Sequence, residues 1–385
     1  MGRVVCVLAF LLLMGSSVSA DAGSEPIRVA ALYNLTGEMA SIDAPALRGA
    51  KLAAALVNRQ GGLLRGRMIE IVSADTRTDE KIAAKEAERL AKLHVVAGIG
   101  YGDTTFVLAA APAFHRRAVP FITSGATAPD LPERFAPNLF MVAYGDDAQA
   151  AAMADFAGTN LGIRSVAIWT DTSFDFTRLL SGFFRQAYTA RGGKVVAEET
   201  FSGDQKDFSE LVSKLKATNP LPDALYISAV PGDAVASVTA VRKAGLSIPI
   251  LSGDGFDCDL LQSLRTKDLA DGIYFSTHRF RLADRPEIRS FIDAYTKEYG
   301  NPPENAFAAL GFDAMNLLIH AIKRSRTTDV KVLRGALALT RGFKAVTGEI
   351  SYADIQHPPR KPVSIIAIKQ GAYSVARIVE PKLQQ

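Results

Sequence analysis

Short runs rich in valine and isoleucine alternate along this chain with amphipathic stretches. The stretch 207–217 is typical, because Phe208, Leu211, Val212 and Leu215 recur at the i, i+3, i+4 and i+7 spacing of one helix face. Such alternation of buried strands with amphipathic helices predicts parallel α/β layers. The predicted strands form two successive sets, the first at 27–33, 68–74, 94–99 and 119–123, the second at 164–169, 194–201, 223–228 and 248–252.

The pattern changes after the second set. A further strand at 272–276 precedes two helices, one at 286–300 that ends in a glycine and one at 303–325 with Pro302 and Pro303 at its start. An antiparallel pair, 363–369 and 373–379, follows and is joined at Gln370 and Gly371. These added elements indicate that the chain crosses back between two lobes through short hinges, since no low-complexity linker separates them.

The N-terminus has the pattern of a secretory signal peptide. Arg3 precedes the apolar run 4–14, and small residues at Val18 and Ala20 suit cleavage after Ala20. Cys6 lacks the sequence context of a lipoprotein signal, so we expect a soluble periplasmic protein without a lipid anchor. The remaining chain is long enough for two domains and contains one cysteine, Cys258, which predicts no internal disulfide.

Charge and motifs argue against nucleic-acid binding and catalysis. The 44 lysines and arginines and the 40 acidic residues are interspersed rather than gathered into a basic stripe. No nucleophile elbow, zinc-protease motif, Walker loop or C-x-x-C is present, and the five histidines have no metal-ligand spacing. We therefore expect no catalytic residue, no metal and no cofactor. His278, which follows a predicted strand, is expected to have a structural role.

The loop 123–130 is a candidate binding loop. In open parallel sheets ligands bind beyond the carboxyl ends of the strands, and this loop follows the fourth strand. Its small residues Gly125, Ala126 and Thr127 would let backbone N–H groups approach a carboxylate, with Thr127 at a helix start. The alternative is that Thr127 only caps that helix in a tight turn.

Three further residues have two interpretations each. Asp254, between two glycines at a strand end, either pairs with a ligand ammonium or is a solvated turn residue. Phe307 either forms an apolar wall of the site or belongs to the core. Asp103 stands where a dinucleotide loop would have its third glycine, which favours a helix-capping role for Asp103 or Thr104.

Several segments together resemble the leucine/isoleucine/valine-binding proteins of bacterial ABC importers, the type I periplasmic solute-binding proteins. The segments that carry the resemblance appear in order along nearly the whole chain, at 33–62, 119–131, 206–216, 250–257 and 303–318. The resemblance implies an α/β fold of two Rossmann-like lobes with parallel sheets joined by a three-stranded hinge. The implied lobes are 21–145 plus 276–357 and 146–275 plus 358–385, after a signal peptide at 1–20.

The resemblance also implies positions for the ligand. It places the α-carboxylate at Gly102, Gly125, Ala126 and Thr127, and the α-ammonium at Asp254. The remaining implied ligand-binding residues, which lie near the ligand side chain or at the first helix of the second lobe, are Ile42, Phe307, Phe174 and Asp175.

This chain departs from the family at several of these positions. Gly102 replaces a serine, so a carboxylate-binding hydroxyl is missing unless Thr104 or Thr105 supplies it. Asp175, beside Phe174, replaces an aromatic residue, and Val230 replaces a tyrosine. These changes leave open whether the ligand is a branched-chain amino acid, another amino acid, an amide or an aromatic acid.

The expected function is that of a monomeric solute-binding subunit that captures a small amino acid, or an amino-acid-like amide or carboxylate, and delivers it to the membrane subunits of an ABC permease. One alternative is a sensory module of the same fold that signals to a separate partner. An exported α/β enzyme is the other, and it would need a nucleophile and base at recognisable spacing, which the sequence does not contain.

Overall fold

A computed structural model describes residues 25–203, 205–258, 260–264, 267–278, 285–352, 354 and 356–380. Two sheets organise these residues, and we call the part of the chain built around each sheet a lobe. The predicted α/β fold with two parallel-sheet lobes is confirmed.

Within the described residues, five parallel strands form the first sheet in the order β2-β1-β3-β4-β5. The strands of this sheet are β1 (Ile27–Tyr33), β2 (Ile69–Asp75), β3 (Ala97–Gly100), β4 (Phe121–Thr123) and β5 (Leu139–Met141). The helices that follow or cover them are α1 (Ala40–Arg59), α2 (Glu80–Leu90), α3 (Thr104–His115), α4 (Leu131–Arg134), α10 (Pro286–Tyr299), α11 (Ala306–Ser325) and α12 (Val330–Ala338).

The second sheet has the described order β14-β13-β10-β9-β8-β6-β7, parallel except for the antiparallel strands β13 and β14. Its strands are β6 (Ser165–Asp171), β7 (Lys194–Phe201), β8 (Ala224–Ser228), β9 (Ile250–Ser252), β10 (Ile273–Thr277), β13 (Val363–Lys369) and β14 (Ala372–Val379). Its helices are α5 (Asp146–Thr159), α6 (Asp175–Ala190), α7 (Ser209–Ala217), α8 (Pro231–Lys243) and α9 (Leu260–Ser263). A small hairpin of β11 (Phe343–Ala345) and β12 (Gly348–Ile350) lies apart from both sheets.

Some predicted boundaries are wrong for local reasons. The strand predicted at 94–99 pairs only from Ala97 to Gly100, because His94 adopts a left-handed turn conformation with φ of 51°. The helix predicted from 303 begins at Ala306, because the Asn305 side chain caps it by accepting from the Phe307 N–H at 3.1 Å. The final hairpin turns at Gln370 and Gly371 as predicted, both with positive φ.

A tight crossing of α1 and α11 sets one wall of the space between the lobes. A Cβ atom on Gly49 would lie 1.9 Å from the Ala308 carbonyl oxygen, and one on Gly311 would lie 1.9 Å from the Ala46 carbonyl oxygen. Only glycine permits this backbone approach. By length and composition α11 could cross a membrane, but 78% of that apolar window is buried in the protein.

The segments that connect the lobes contact one another. Lys361 is buried and donates from Nζ to the Val142 carbonyl at 2.7 Å and to Thr347 Oγ1 at 2.6 Å. The Tyr144 ring stacks on His278 with centroids 3.7 Å apart. Three connecting segments, at 142–145, 278–285 and 351–362, are therefore tied together in the parts that the structure describes.

Candidate functional site

The candidate site begins where β1 and β3 lie side by side, since the loops after two neighbouring parallel strands open a crevice at this point of the sheet. Asp43 of α1 joins these loops, because its carboxylate accepts from the Asn34 N–H at 2.8 Å and from the Gly102 N–H at 2.7 Å. Burial raises the pKa of Asp43 to about 7, and the two N–H donors oppose that rise. Sequence analysis missed Asp43, which is an acid on an otherwise apolar face of α1.

Two glycines predicted to bind the ligand carboxylate lie against the two apolar residues predicted to lie near the ligand side chain. A Cβ atom on Gly102 would lie 3.1 Å from Ile42 Cδ1 and from the Phe307 ring. A Cβ atom on Gly125 would lie 2.8 Å from the same ring. The Phe307 ring therefore covers both glycines, and a serine at position 102 would need the ring or Ile42 to shift.

Most N–H groups of the predicted carboxylate loop already have partners within the protein. The Gly125 N–H donates to the Tyr101 carbonyl at 3.0 Å, the Ala126 N–H donates to Thr123 Oγ1 at 3.1 Å, and Gly102 is bound to Asp43. The Thr127 N–H donates to no atom of the described residues. Thr127 is therefore the member of this loop that retains a backbone donor for a ligand.

The prediction that Thr127 starts or caps a helix is wrong. Helix α4 begins at Leu131 after Asp130 and has four residues. Pro129 disfavours a helical conformation of the preceding residue, and that residue, Ala128, donates its N–H to Thr104 Oγ1 at 3.2 Å. The Thr127 carbonyl accepts from the Asp146 N–H at 2.7 Å. Contacts with the first residues of α5 and α3 thus hold Thr127 and Ala128 in place.

The neighbouring threonines, which were considered as replacements for the missing serine hydroxyl, are also engaged. Besides the Thr104 contact with Ala128, Thr105 Oγ1 accepts from the Asp175 N–H of the second lobe at 2.9 Å. Asp103 caps α3, as predicted, by accepting from the Thr105 N–H at 2.7 Å. The Thr105 contact joins the two lobes directly.

The second lobe supplies Phe174 and Asp175 at the start of α6. The Phe174 ring lies 6.3 Å from the Phe106 ring of the first lobe. The Asp175 carboxylate pairs with Arg178 at 2.5 Å on its own helix, so its backbone N–H is the group that faces the first lobe. Val230, at the position of a family tyrosine, is fully buried against the first-lobe core.

Asp254 begins a 3-10 turn that follows β9 and is only 2% exposed. The interpretation of Asp254 as a solvated turn residue is therefore wrong. Its Oδ1 accepts from Gln149 Nε2 at 3.0 Å, and its Oδ2 lies 3.4 Å from His278 Nε2. Asp254 thus has protein contacts on both carboxylate oxygens, a feature that the sequence did not indicate.

Gln149 connects Asp254 to a second buried carboxyl group. Its Nε2 also donates to Asp146 Oδ1 at 2.9 Å, while its Oε1 accepts from the Asp254 N–H at 3.2 Å and from Ser276 Oγ at 2.8 Å. Burial raises the pKa of Asp146 well above its ordinary value, and the neighbouring Asp254 carboxylate adds to the rise. The Thr127 hydroxyl lies close enough to oppose this rise, but Asp146 Oδ2 accepts no hydrogen bond from the residues that the structure describes.

Aromatic residues and a histidine surround these acids. Tyr144 stacks on His278, and Tyr226 stacks on Phe184 with centroids 3.7 Å apart. Burial raises the pKa of both tyrosines well above 10, and Asp254 and Asp146 add to the rise. Burial also lowers the pKa of His278. His278, for which a structural role was expected, has its Nε2 atom 3.4 Å from Asp254 Oδ2.

We call Asp146, Gln149, Asp254, His278, Tyr144 and Tyr226 the hinge cluster. Sequence analysis named only Asp254 as a site residue among these. The run 144–149 lies shortly after β5, and because β5 was not predicted, the sequence did not mark these residues as lying at the carboxyl end of a strand. Among the described residues, no group of three or more His, Cys, Asp or Glu side chains is arranged to hold a metal ion.

Comparison with known proteins agrees with this architecture. A family model described as periplasmic binding protein matches residues 26–372. The chain is 24% identical over 336 residues to Leu/Ile/Val-binding protein homolog 3 of Brucella melitensis, covering 87% of this chain and 89% of that protein.

Solved structures show the same fold. A leucine-binding protein from Thermotoga maritima is 30% identical with a TM-score of 0.85, covering 92% of this chain and 99% of its own. A branched-chain amino acid transporter substrate-binding protein from Streptococcus pneumoniae, in complex with isoleucine, is 27% identical with a TM-score of 0.86. The match covers 93% of this chain and 100% of that protein. A solute-binding protein from R. palustris, in complex with benzoate, shares the fold with a TM-score of 0.82. It is 22% identical, and the match covers 94% of this chain and 98% of that protein.

Proposed function

Because this chain belongs to the periplasmic binding protein family, we propose that it is the solute-binding subunit of an ABC importer, which captures a small amino acid or an amino-acid-like amide or carboxylate and delivers it to a membrane permease. The names of its relatives support an amino-acid ligand, since several are Leu/Ile/Val-binding proteins. We propose no catalytic chemistry for the site.

The observation that carries the proposal is that both lobes contribute buried groups to one site. Thr105 and Phe106 of the first lobe contact Asp175 and Phe174 of the second. Asp257, which follows the turn after β9, accepts from the Ala306 N–H at the start of α11 at 3.1 Å. These contacts describe lobes closed upon each other, with the candidate ligand-binding residues between them.

Closure provides the mechanism of delivery. A ligand that contacts Thr127 on one lobe and Asp254 on the other binds the closed form better than the open form, and so shifts the population toward closure. The permease would then recognise the closed form. We propose lobes at 21–145 plus 276–357 and 146–275 plus 358–385, joined by three connecting segments. The boundary at 275/276 falls inside β10, whose last residues, Ser276 and Thr277, still pair with β13 of the second sheet.

The proposal includes export and assembly. The N-terminal pattern supports a signal peptide cleaved after Ala20, so the mature protein would begin at Asp21, reside in the periplasm and act as a monomer. Mass spectrometry of the protein from a periplasmic extract should give Asp21 as the first residue. An intact N-terminus in the cytoplasm, or a lipid on Cys6, would contradict this part of the proposal.

A thermal-shift screen tests the function itself. The mature protein would be screened against amino acids, their amides, and aromatic and short-chain acids, with hits measured by calorimetry. We expect stabilisation by at least one amino acid or amide, because a ligand that binds the folded state raises its apparent stability. If no compound of these classes binds, the proposed ligand class is wrong.

A further inference from the structure

The peptide bond between Tyr101 and Gly102 supports the candidate binding loop that follows β4. Its carbonyl oxygen accepts from the Gly125 N–H at 3.0 Å and from Thr123 Oγ1 at 3.2 Å. Thr123 Oγ1 in turn accepts from the Ala126 N–H at 3.1 Å. The orientation of this one peptide therefore determines where the first residues of the loop lie.

Tyr101 adopts a backbone conformation that is rare for a bulky residue. Its φ of 57° lies in the left-handed region, and its side chain is fully buried. Backbone strain of this kind persists only where the surrounding structure holds the chain in place, and it is concentrated at functional sites. The Tyr101–Gly102 peptide therefore needs a firm partner on its N–H side as well as on its carbonyl side.

Asp43 of α1 is the partner on the N–H side. Its Oδ1 atom accepts from the Gly102 N–H at 2.7 Å, and its Oδ2 atom accepts from the Asn34 N–H at 2.8 Å. Each N–H group thus binds a different oxygen of a completely buried carboxyl group. Only the ionised carboxylate can accept on both oxygens in this way, because a proton on either oxygen turns that oxygen into a donor and displaces its N–H partner.

We propose that Asp43 is a positioning residue for ligand binding, whose ionised carboxylate fixes the peptide that supports the candidate binding loop. Thr127, which retains a backbone donor for a ligand, belongs to that loop. The inference rests on the proposed function and adds a regulation by pH to the same site. Protonation of Asp43 releases one of its two N–H partners, so the loop loses support and the affinity for the ligand falls.

The change in charge falls near neutral pH. Burial raises the pKa of Asp43 to about 7, and the Asn34 and Gly102 N–H groups oppose that rise. The other titratable groups around Asp43 are Asp103, Tyr33 and Tyr101. Burial raises the pKa of both tyrosines, which therefore stay neutral, and raises that of Asp103 to about 7. Because the folded-state pKa of Asp43 is raised, the fold loses stability as the pH rises from about 4 to about 7.

The first test compares the affinity of the parent protein and of Asp43→Asn for L-leucine by calorimetry. Asparagine keeps the shape but turns an N–H donor toward one of the two backbone N–H groups, so it reproduces the protonated form at every pH. We expect the parent to bind at least about tenfold more tightly at about pH 8 than at about pH 5.5, and Asp43→Asn to lose most of this difference. Other acids of the site titrate in both proteins, so an equal pH dependence of the two affinities would overturn the positioning role.

The second test needs neither a ligand nor a variant. In protein labelled with ¹⁵N at glycine, the amide signals of Gly102 and Gly125 should shift together as the pH passes about 7, because their N–H groups bind Asp43 and the Tyr101 carbonyl. Signals that stay fixed between about pH 5.5 and about pH 8 would overturn the proposal. If L-leucine does not bind the parent, the failure belongs to the proposed ligand class, and the glycine signals still decide whether Asp43 holds the loop.

Asp103→Asn is the matched control. Asp103 is a buried acid next to Gly102, but its carboxylate accepts from the Thr105 N–H at 2.7 Å and so caps α3, a role that asparagine fills equally well. The glycine signals of this variant should still shift with pH, at a lower midpoint, because the Asp103 charge adds to the rise in the pKa of Asp43. A titration that is lost in Asp103→Asn and kept in Asp43→Asn would assign the proton to Asp103 and overturn the proposal.

Discussion

The backbone N–H groups of the first-lobe loop and the side chains of the hinge cluster differ in how fully they are satisfied by hydrogen bonds. In the first-lobe loop, the N–H groups of Gly102, Gly125 and Ala126 donate to neighbouring protein atoms, and the Phe307 ring lies over both glycines. In the hinge cluster, a carboxyl oxygen and two tyrosine hydroxyls are buried and have no hydrogen-bond partner among the residues that the structure describes. Buried side-chain atoms without a partner among the described residues also occur beside this loop, at Asn34, Tyr101 and Asp103, so the difference concerns the backbone N–H groups of the loop.

Because of this difference, we expect the loop to determine which ligand shapes fit and the hinge cluster to determine how tightly the ligand binds. A loop whose donors are already used within the protein can define the outline of a ligand but adds few new hydrogen bonds when the ligand arrives. Buried polar groups without partners can form new hydrogen bonds to a ligand. Binding then also removes the free-energy penalty of leaving these groups unsatisfied. We therefore expect substitutions in the hinge cluster to change affinity, and substitutions in the loop to change packing and stability.

The largest expected effect is that of Asp254→Asn on an amine ligand. The variant keeps the shape and removes the charge, and breaking a buried charge pair costs about 3 to 5 kcal/mol. Calorimetry with L-leucine or L-leucinamide should show binding nearly abolished. The control ligand 4-methylpentanoate should bind the variant at least as well as the parent, and undiminished affinity for the amines would remove Asp254 from the ammonium site.

Thr127→Ala should have an intermediate effect. Thr127 belongs to the first-lobe loop but its side chain lies beside Asp146, so it connects the two ends of the site. Loss of its hydroxyl should weaken leucine binding by about 1 to 3 kcal/mol, the range for leaving a charged partner without a hydrogen bond. Thr127→Ser keeps the hydroxyl and should retain the affinity. An equal loss in both variants would assign the effect to packing.

The smallest expected effect concerns Gly102→Ala. The added Cβ would press against Ile42 and the Phe307 ring at 3.1 Å, so we expect the free energy of unfolding to fall by about 1 kcal/mol, measured by denaturant titration. The control Gly182→Ala adds a Cβ within helix α6 where no atom lies within 4 Å, and it should raise stability slightly. A Gly102→Ala variant as stable as the parent would show that the ring does not fill this loop.

Much of the fold could be predicted because strands that are covered by helices appear in the sequence as continuous runs of apolar residues. The runs at 27–33 and 194–201 coincide with β1 and β7, and Gly300 ends α10 in the left-handed conformation as predicted. Strand β5, with three residues, was missed, whereas β4 and β9, which are equally short, were predicted because they lie within the longer valine- and isoleucine-containing runs 119–123 and 248–252. Strands β11 and β12, also with three residues each, lie outside any such run and were missed.

The candidate site was less predictable, since its chemistry depends on segments far apart in sequence. The resemblance placed Ile42, Gly102, Gly125 and Phe307 together, and the structure brings them into contact. It could not show that Gln149 lies between Asp146 and Asp254, because that contact spans 105 residues and depends on how α5 meets the turn after β9. Local sequence also could not show which loop N–H groups were already engaged.

The measurement that tests the account most directly compares three ligands of one carbon skeleton on the unaltered protein by calorimetry. The account predicts that L-leucinamide binds nearly as well as L-leucine, and that 4-methylpentanoate binds more than about 100-fold more weakly, since the acid leaves the buried carboxylates without a cation. Tight binding of 4-methylpentanoate together with loss of L-leucinamide would contradict it, because the carboxylate loop rather than the hinge cluster would then select the ligand.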